Sequence, residues 1–534
     1  MDSPNSTARK RGFWSTGEPF VWLTAGALSV TILSIVVLIL VVARNGLGVM
    51  WPATVTRFTL ADGQVVVGNI TGRDKVGVDT PARYQVKTAN RDLYGLDFRW
   101  IPEDTIAKTD QPEEVVIVER REWGNFCGFL KSLPESGGPA DWASFQSALA
   151  EVQVKKHALE EFDAQMSVLN QQLLEHKDEL AKLVYKKGPE EAQQELRNQI
   201  TAVEGEFEGL MAQQTSANDN VRAKTAVFAD GTGTEQTIVL ADIVRAYQPN
   251  AMGAMAKGSF YVEKLWELIF DEPRESNTEG GLFPAIFGTI ILIFLMSVLS
   301  FPLGVIAGVY LRLYAKNGPL LYVVRIAVNN LAGIPSIVYG IFGLGFFVYG
   351  IGGSIDSLFY PHRLPTPTFG TGGILWASLT LGLLTVPVVI VATEEGLGAI
   401  PRSMREGSYA LGATRFQTLV RVLLPMAAPG IMTGFILAMA RAAGEVAPLM
   451  ITGVVKLAPT LPLDGNFPYF HLERKFMHLG FHIFDIGFQS PNVEAAKPMV
   501  FVTTLLLVLI VMIMSSVAIY LRNQIRKRHS VTHL

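Results

Sequence analysis

The sequence predicts an α-helical integral membrane protein with six transmembrane helices, plus an α+β insert containing an antiparallel coiled-coil hairpin. Three observations predict this. Long apolar runs sit near the N-terminus and throughout the C-terminal half. A polar, charge-rich stretch, 45–280, separates them. Clusters of lysine and arginine fall in alternate connections between the runs. Of 534 residues, 49% are hydrophobic and 17% charged, below the roughly 25% charged of soluble domains. The net charge of −3 does not suggest a nucleic-acid binder. The single cysteine, Cys127, excludes an intrachain disulfide and says nothing about compartment.

A helix needs about 20 apolar residues to cross the hydrocarbon core. The first run, 21–44, follows Arg9, Lys10 and Arg11. Its apolar stretch exceeds the roughly 7–15 residues of a signal-peptide core, and no small-residue cleavage site follows before Arg44. It therefore reads as an uncleaved signal anchor. Five more candidate spans follow, at about 284–311, 326–350, 373–393, 426–454 and 498–521. Basic residues concentrate in cytoplasmic connections. They cluster at Arg9–Arg11, at Arg312, Lys316 and Arg325, at Arg402, Arg405, Arg415 and Arg421, and at Arg522, Arg526, Lys527 and Arg528. A cytoplasmic N-terminus, 1–20, and six crossings place all four clusters in the cytoplasm, including the C-terminal tail 522–534. A seventh span would move the last cluster outside. Gly304 and Gly308 have the spacing that lets helix backbones approach in lipid, and read as ordinary bundle packing.

Residues 45–280 then form a periplasmic insert; long loops cross regardless of charge. Residues 53–120 read as short strands, with a hairpin around Ala61-Asp62-Gly63. Next, Leu159, Phe162, Met166, Leu169 and Leu173 repeat at heptad spacing, continued by Leu180 and Leu183. Lys187-Gly188-Pro189 breaks the pattern, and Leu196, Ile200, Val203, Phe207 and Leu210 resume it. Two such helices predict a hairpin over about 150–215. Residues 223–248 return to strand-like alternation, so the hairpin interrupts a small β-rich domain. It is either a docking arm for a partner or a self-packed appendage. Residues 260–270, with Trp266, read as an interfacial helix before the second span.

The third span begins Asn329-Asn330-Leu331-Ala332-Gly333-Ile334-Pro335-Ser336. Polar residues and a proline there suggest a kinked, partly water-lined segment, with Asn330 and Ser336 on a substrate path, or else interhelical hydrogen bonding. The connection 394–425 follows the fourth span and runs Arg405-Glu406-Gly407-Ser408-Tyr409-Ala410-Leu411-Gly412-Ala413-Thr414 and on to Leu424-Pro425. Glu406 should open a short helix, where a carboxylate suits the dipole. Gly412 should break it, Thr414 cap a second helix, and Pro425 stop that one before the fifth span. The result is a helical elbow.

The fifth span holds Arg441-Ala442-Ala443-Gly444-Glu445-Val446-Ala447-Pro448-Leu449. A charge deep in a span costs about 2.5–3.5 kcal/mol by insertion scales and marks a functional candidate. Arg441 and Glu445 are four apart, hence on one helix face. Arginine can grip a tetrahedral oxyanion with its planar fork, and Glu445 can neutralise it when no anion is present. The alternative is an ion pair that only locks the bundle.

Two resemblances follow from these residues. The elbow resembles the "EAA" loop of ABC importer permeases. Glu406, Gly412 and Pro425 match, while Gly407 and Ser408 replace the two alanines after the glutamate. The resemblance implies that the elbow docks on an ATPase subunit. The stretches 330–340, Ala392-Thr393-Glu394-Glu395, 405–414 and 440–449 together resemble phosphate ABC transporter permeases of the PstA family, over roughly 284–521. This implies a type I ABC importer permease fold over 281–521 and an inner-membrane location. It also implies an anion path near Arg441 and Glu445, a second permease (PstC-like), ATPase subunits (PstB-like) and a periplasmic phosphate-binding protein (PstS-like). Short family members lack the insert. No Gly-x-x-x-x-Gly-Lys-Ser/Thr motif occurs, so ATP and magnesium would be bound by the partner ATPase. No cofactor, metal ligand or catalytic residue is expected in this chain, which reads as a transport subunit. Other readings are a permease for sulfate or molybdate, a membrane sensor with an outer coiled coil, and a membrane enzyme. For the last, His478 and His482, four apart near His471, lack a third metal ligand and read as surface histidines.

Overall fold

The computed structural model describes residues 18–75, 81–134, 138–139, 141–490 and 492–530. The basic residues Arg9, Lys10 and Arg11 lie outside the described residues. Helix α1 (Glu18–Val49) overshoots the apolar run at both ends. It leaves its apolar surface open and packs on the bundle chiefly along α16 (Val493–Ser530). Gly46 permits the approach: a Cβ there would lie 3.2 Å from the Phe501 carbonyl oxygen.

The insert opens with an antiparallel sheet in the order β4-β3-β2-β1-β5. Its strands are β1 (Val55–Leu60), β2 (Val65–Asp74), β3 (Arg83–Lys87), β4 (Phe98–Pro102) and β5 (Ile106–Asp110), with a single-turn α2 (Arg91–Tyr94) before β4. β1 and β2 are joined at Ala61-Asp62-Gly63, where Gly63 adopts φ +84° and Asp62 accepts the Gln64 N–H at 2.9 Å. A second sheet, β10-β9-β7-β6-β11 with β8 paired to β7, comprises β6 (Val116–Arg120), β7 (Phe126–Leu133), β8 (Gly138–Pro139), β9 (Thr225–Ala229), β10 (Glu235–Val239) and β11 (Ile243–Tyr247).

Between β8 and β9 the chain leaves the sheet as two long helices, α3 (Trp142–Tyr185) and α4 (Glu190–Arg222), packed on each other and reversed at Lys187-Gly188-Pro189. Both extend past 150–215 because their bases belong to the sheet's core. Phe145, Leu149, Val152 and Val221 pack with Val116, Phe126 and Phe228. Asp141 caps α3 by accepting the Ser144 N–H at 3.0 Å. The 44 residues of α3 make a rod of about 66 Å.

Helix α5 (Ala254–Phe270) and the short pair β12 (Pro273–Arg274) and β13 (Glu279–Gly280) lead to α6 (Phe283–Val309). Then come α7 (Pro319–Leu331), α8 (Ser336–Phe342), α9 (Gly353–Phe359), α10 (Ile374–Gly398), α11 (Arg402–Ala410), α12 (Arg415–Thr418), α13 (Leu424–Gly444), α14 (Ala447–Thr452), α15 (Leu479–Phe484) and α16. Among the described residues, six helical stretches are long and apolar enough to cross a membrane: 19–49, 283–314, 336–359, 374–398, 415–444 and 493–527. The most enclosed, α10, packs between α6 and α13. Gly304 and Gly308 face it; a Cβ on Gly308 would meet the Ile390 carbonyl oxygen at 2.9 Å.

Two spans depart from expectation. The third is Ser336–Phe359 rather than 326–350. Pro335 lacks an N–H and disfavours helical geometry in the residue before it, so α7 is a separate helix and the expected kink is a full break. The fifth stretch begins at Arg415 and ends at Gly444. Pro425 does not stop a helix: the π-type turn Leu419–Leu423 widens the backbone ahead of it and accommodates its ring. The last helix also continues through much of the tail, to Ser530.

The hairpin tip returns to the membrane domain. Asp178, about 54 Å along α3 from Trp142, bonds His362 Nε2 at 3.0 Å, Arg363 and Lys182. His362 and Arg363 belong to the connection between the third and fourth spans. Burial alone would raise the Asp178 carboxyl; the bonds from Arg363, Lys182 and His362 outweigh it and hold the group far below the usual carboxylate range. The receiving loop is itself fixed. Asp356 accepts the Phe369 and Gly370 N–H groups at 2.9 and 2.6 Å, and Trp376 donates to the Phe369 carbonyl at 2.7 Å. Asp178→Asn removes the charge that gathers these donors. Amide exchange at the hairpin tip and at 361–364 should rise by about tenfold, the worth of one charge-assisted bond. Unchanged exchange at both places would show that the contact does not hold the tip.

Candidate functional site: a broken-helix pair and a helical elbow

Two interrupted helices meet inside the bundle. α13 ends at Gly444, and Glu445 is extended (φ −82°, ψ 129°) rather than helical. The chain restarts in α14, with Pro448 in its first turn, where a missing N–H costs nothing. α14 packs on α8, and a Cβ on Gly340 would lie 2.8 Å from Pro448 Cα. Only glycine fits there, so the 330–340 and 440–449 stretches are a matched pair of surfaces. Tyr339 tethers the start of the third span by donating to the Leu331 carbonyl at 2.7 Å across the Pro335 break.

Arg441 sits in the last turn of α13 with its side chain about one-third exposed. Its Nε lies 3.8 Å from Glu445 Oε1, although Glu445 has left the helix and the two do not share a helix face. That distance allows charge attraction but is too long for a hydrogen bond. Among the described residues Arg441 makes no hydrogen bond, so its five N–H donors stay uncommitted. Ser336 starts α8, one turn from Tyr339, whereas Asn330 is exposed on α7. No hydrogen bond joins either to Arg441 or Glu445. The four expected path residues thus divide: Arg441 and Glu445 come together, Ser336 borders the same helix pair, and Asn330 stands apart.

The elbow is built from two capping devices. α11 ends in a reversal where Gly412 N–H bonds the Tyr409 carbonyl at 2.9 Å and Ala413 N–H bonds the Ser408 carbonyl at 3.2 Å. Gly412 takes φ +82°, a conformation that favours glycine, and a Cβ there would meet nothing. Thr414 and Gln417 then form a capping box, with bonds of 3.2 and 2.9 Å. Ser408 hydroxyl lies 2.9 Å from Thr418 hydroxyl and ties the two arms. Glu406 is exposed in the middle of α11, not at its opening, because Arg402 follows Pro401 and starts the helix a turn earlier. No α11 residue is buried, and Leu411 and Phe416 are exposed.

Sequence reasoning missed two contacts. Arg325 donates to Glu394 at 2.9 Å and clasps α7 to α10; the signal was a lone acid pair ending an apolar span. The histidines are not at the surface. His478 and His482 are buried against α6 and α16. Leu479 N–H bonds Thr289 Oγ1 at 2.9 Å, and His482 Nδ1 lies 3.3 Å from Thr503 Oγ1. Burial pushes both imidazoles down to about 4. Among the described residues no group of three or more His, Cys, Asp or Glu could hold a metal.

Residues 300–527 match the family described as "Binding-protein-dependent transport system inner membrane component". The probable ABC transporter permease protein YqgI of Bacillus subtilis (strain 168) is 31% identical over 223 residues, covering 40% of this chain and 70% of that one. The chain belongs to this permease family. It is therefore a multi-pass membrane transport component, not itself catalytic. The permease is also similar to the probable ABC transporter permease protein YqgH of Bacillus subtilis (34% over 212 residues, 39% and 64% of the two chains). Phosphate transport system permease protein PstA 1 of Mycobacterium tuberculosis is 37% identical over 199 residues, 37% and 60% of the two chains. The chain thus spans about three-fifths of the length of such relatives. A solved MetNI methionine ABC transporter chain aligns at 18% identity with a TM-score of 0.35, covering 49% of this chain and 98% of that one.

Thr414→Ala should cost about 1 kcal/mol at the start of α12, and Gly412→Ala about 1–2 kcal/mol through its left-handed backbone. Faster amide exchange confined to about 408–418 is the expected readout. Exchange unchanged in both variants would mean that the caps do not set the elbow.

Proposed function

We propose that this permease carries inorganic phosphate across the inner membrane into the cytoplasm, with Arg441 and Glu445 on the anion's path. The observation that carries this reading is an arginine with uncommitted donors at a helix break, in a chain similar to permeases named for phosphate transport in Mycobacterium tuberculosis and Methanocaldococcus jannaschii. A guanidinium stays charged and offers two parallel N–H groups to a tetrahedral oxyanion. Glu445, near but not bonded, balances the charge when the anion is absent and repels a second one. In this reading Ser336, at the start of α8, adds a hydroxyl to the path, and Asn330, apart on α7, belongs to its approach.

The elbow 402–425 is the coupling element on the cytoplasmic side. Glu406, Leu411 and Phe416 present themselves to an ATPase subunit (PstB-like), which binds ATP and magnesium. Gly412 sets the angle between the two arms, and Pro425 is carried within the continuous helix that links the elbow to Arg441. A second permease (PstC-like) completes the pore, and a phosphate-binding protein (PstS-like) delivers the anion from outside. Both termini lie in the cytoplasm.

Deleting the gene should abolish high-affinity uptake of labelled phosphate in a strain without a second system. Sulfate and molybdate uptake, measured in parallel, should not change; the reverse pattern would reassign the substrate. Arg441→Ala should lower phosphate uptake by at least about tenfold, the loss of one charged hydrogen-bond pair, with membrane assembly intact. Normal transport by that variant would remove Arg441 from the path. Glu406→Gln should leave the protein assembled and separate ATP hydrolysis from uptake.

A further inference from the structure

The insert meets the membrane domain across connected cavities at the ends of α1 and α16. Three spaces of about 180, 510 and 930 Å³ share Lys87, Asn125 and Ala495 in their walls. Val49 and Trp51 at the end of α1 and Pro498 on α16 form the membrane side of the first two. Both helices leave their apolar stretches here, at Val49 and Val493. The cavities therefore sit at the depth of lipid headgroups, where tryptophan is favoured. α5 runs beside them. Its Phe260 and Lys264 line the cavity, while Val262, Trp266, Ile269 and Phe270 remain exposed as an apolar stripe suited to the membrane surface.

The charges in the walls do not all cancel. Lys264 bonds Glu119 and Glu267 at 2.6 and 2.9 Å. Arg245 bonds Glu263 and Glu267 at 2.7 and 3.0 Å, and Arg274 bonds Glu267. That network is closed. Arg44, Lys87, Asp97 and Glu279 remain without an ion-pair partner among the described residues, and of these Asp97 accepts from the Asn492 amide. Glu279 Oε1 lies 4.0 Å from where a Cβ on Gly124 would stand, which puts the carboxylate next to Asn125. Asn125 Oδ1 is buried with no hydrogen-bond partner. Burial pushes the Glu279 carboxyl above the usual carboxylate range, against the pull of Lys87. The site thus offers Lys87, with Arg44 at its α1 edge, to an anion, and a half-buried carboxylate with an orphaned amide oxygen to a donor of N–H bonds.

We propose that this cleft binds a phosphoethanolamine group, that of an aminophospholipid, with the phosphate on Lys87 and the ammonium on Glu279 and Asn125 Oδ1. The acyl chains lie along α1, α16 and the apolar side of α5. A phosphoglycerol headgroup satisfies Lys87 and leaves Glu279 unpaired, so it binds less well.

The test uses the full chain in nanodiscs of phosphatidylethanolamine or phosphatidylglycerol, with retained lipid counted by native mass spectrometry and thermal unfolding measured alongside. The ethanolamine lipid should be retained about tenfold better, and Lys87→Met and Glu279→Gln should each lower its retention by about tenfold. Lys87→Arg should keep it, which separates lost binding from lost folding. Soluble glycerophosphoethanolamine is the second arm. Stabilisation by the lipid alone assigns the site to a lipid; equal stabilisation by the soluble compound assigns the same chemistry to a free solute. Equal retention of both lipids, or variants that bind like the parent, would overturn the proposal.

Discussion

Inside a bilayer a backbone has no water to complete its hydrogen bonds, and everything distinctive about this membrane domain follows from where two helices stop regardless. The breaks at Pro335 and at Glu445 both fall within otherwise apolar stretches. The helices that restart beyond them pack on each other, with Gly340 on one side and Pro448 on the other. Tyr339 closes the first gap by reaching the Leu331 carbonyl. The second leaves a polar kink, and there Arg441 and Glu445 reside. Charge and break belong together, because the irregular backbone supplies the polar surroundings that an arginine in a span requires.

The same economy shapes the elbow. Nothing in α11 is buried, so its geometry cannot come from packing. It comes from local bonds: the Gly412 reversal, the Thr414–Gln417 box, and the Ser408–Thr418 tie. A segment held this way keeps its shape while its whole outer surface stays free. Below it, the uninterrupted helix from Arg415 to Gly444 is a rigid link between that surface and Arg441.

Much of this was legible in the residues. Apolar length fixed the number of membrane helices, heptad spacing located α3 and α4, and the Gly412 and Thr414 signals were local enough to read directly. Span boundaries were harder. Hydropathy treats α7 and α8 as one run because Gly333-Ile334-Pro335 is itself mostly apolar, and it cannot see that a π-type turn relieves Pro425. The separation of Arg441 and Glu445 was misjudged in form, since an i, i+4 spacing implies a shared face only while the helix continues. The burial of His478 and His482 was invisible because their surroundings come from α6 and α16, distant in sequence. So was the meeting of Asp178 with His362 and Arg363, which depends on how far a rod of known length reaches and in what direction.

That last contact has a mechanical consequence. α3 and α4 are clamped at one end by Phe145, Leu149, Val152 and Val221, and at the other by the Asp178 carboxylate. A stiff beam supported at two points cannot follow one support without loading the other. Any displacement of the loop between the third and fourth spans therefore bends the beam, tilts the sheets at its base, or breaks the carboxylate joint. Of the two supports, the carboxylate joint with its few bonds is the weaker, and the footing of four apolar side chains in the sheet's core is the stronger.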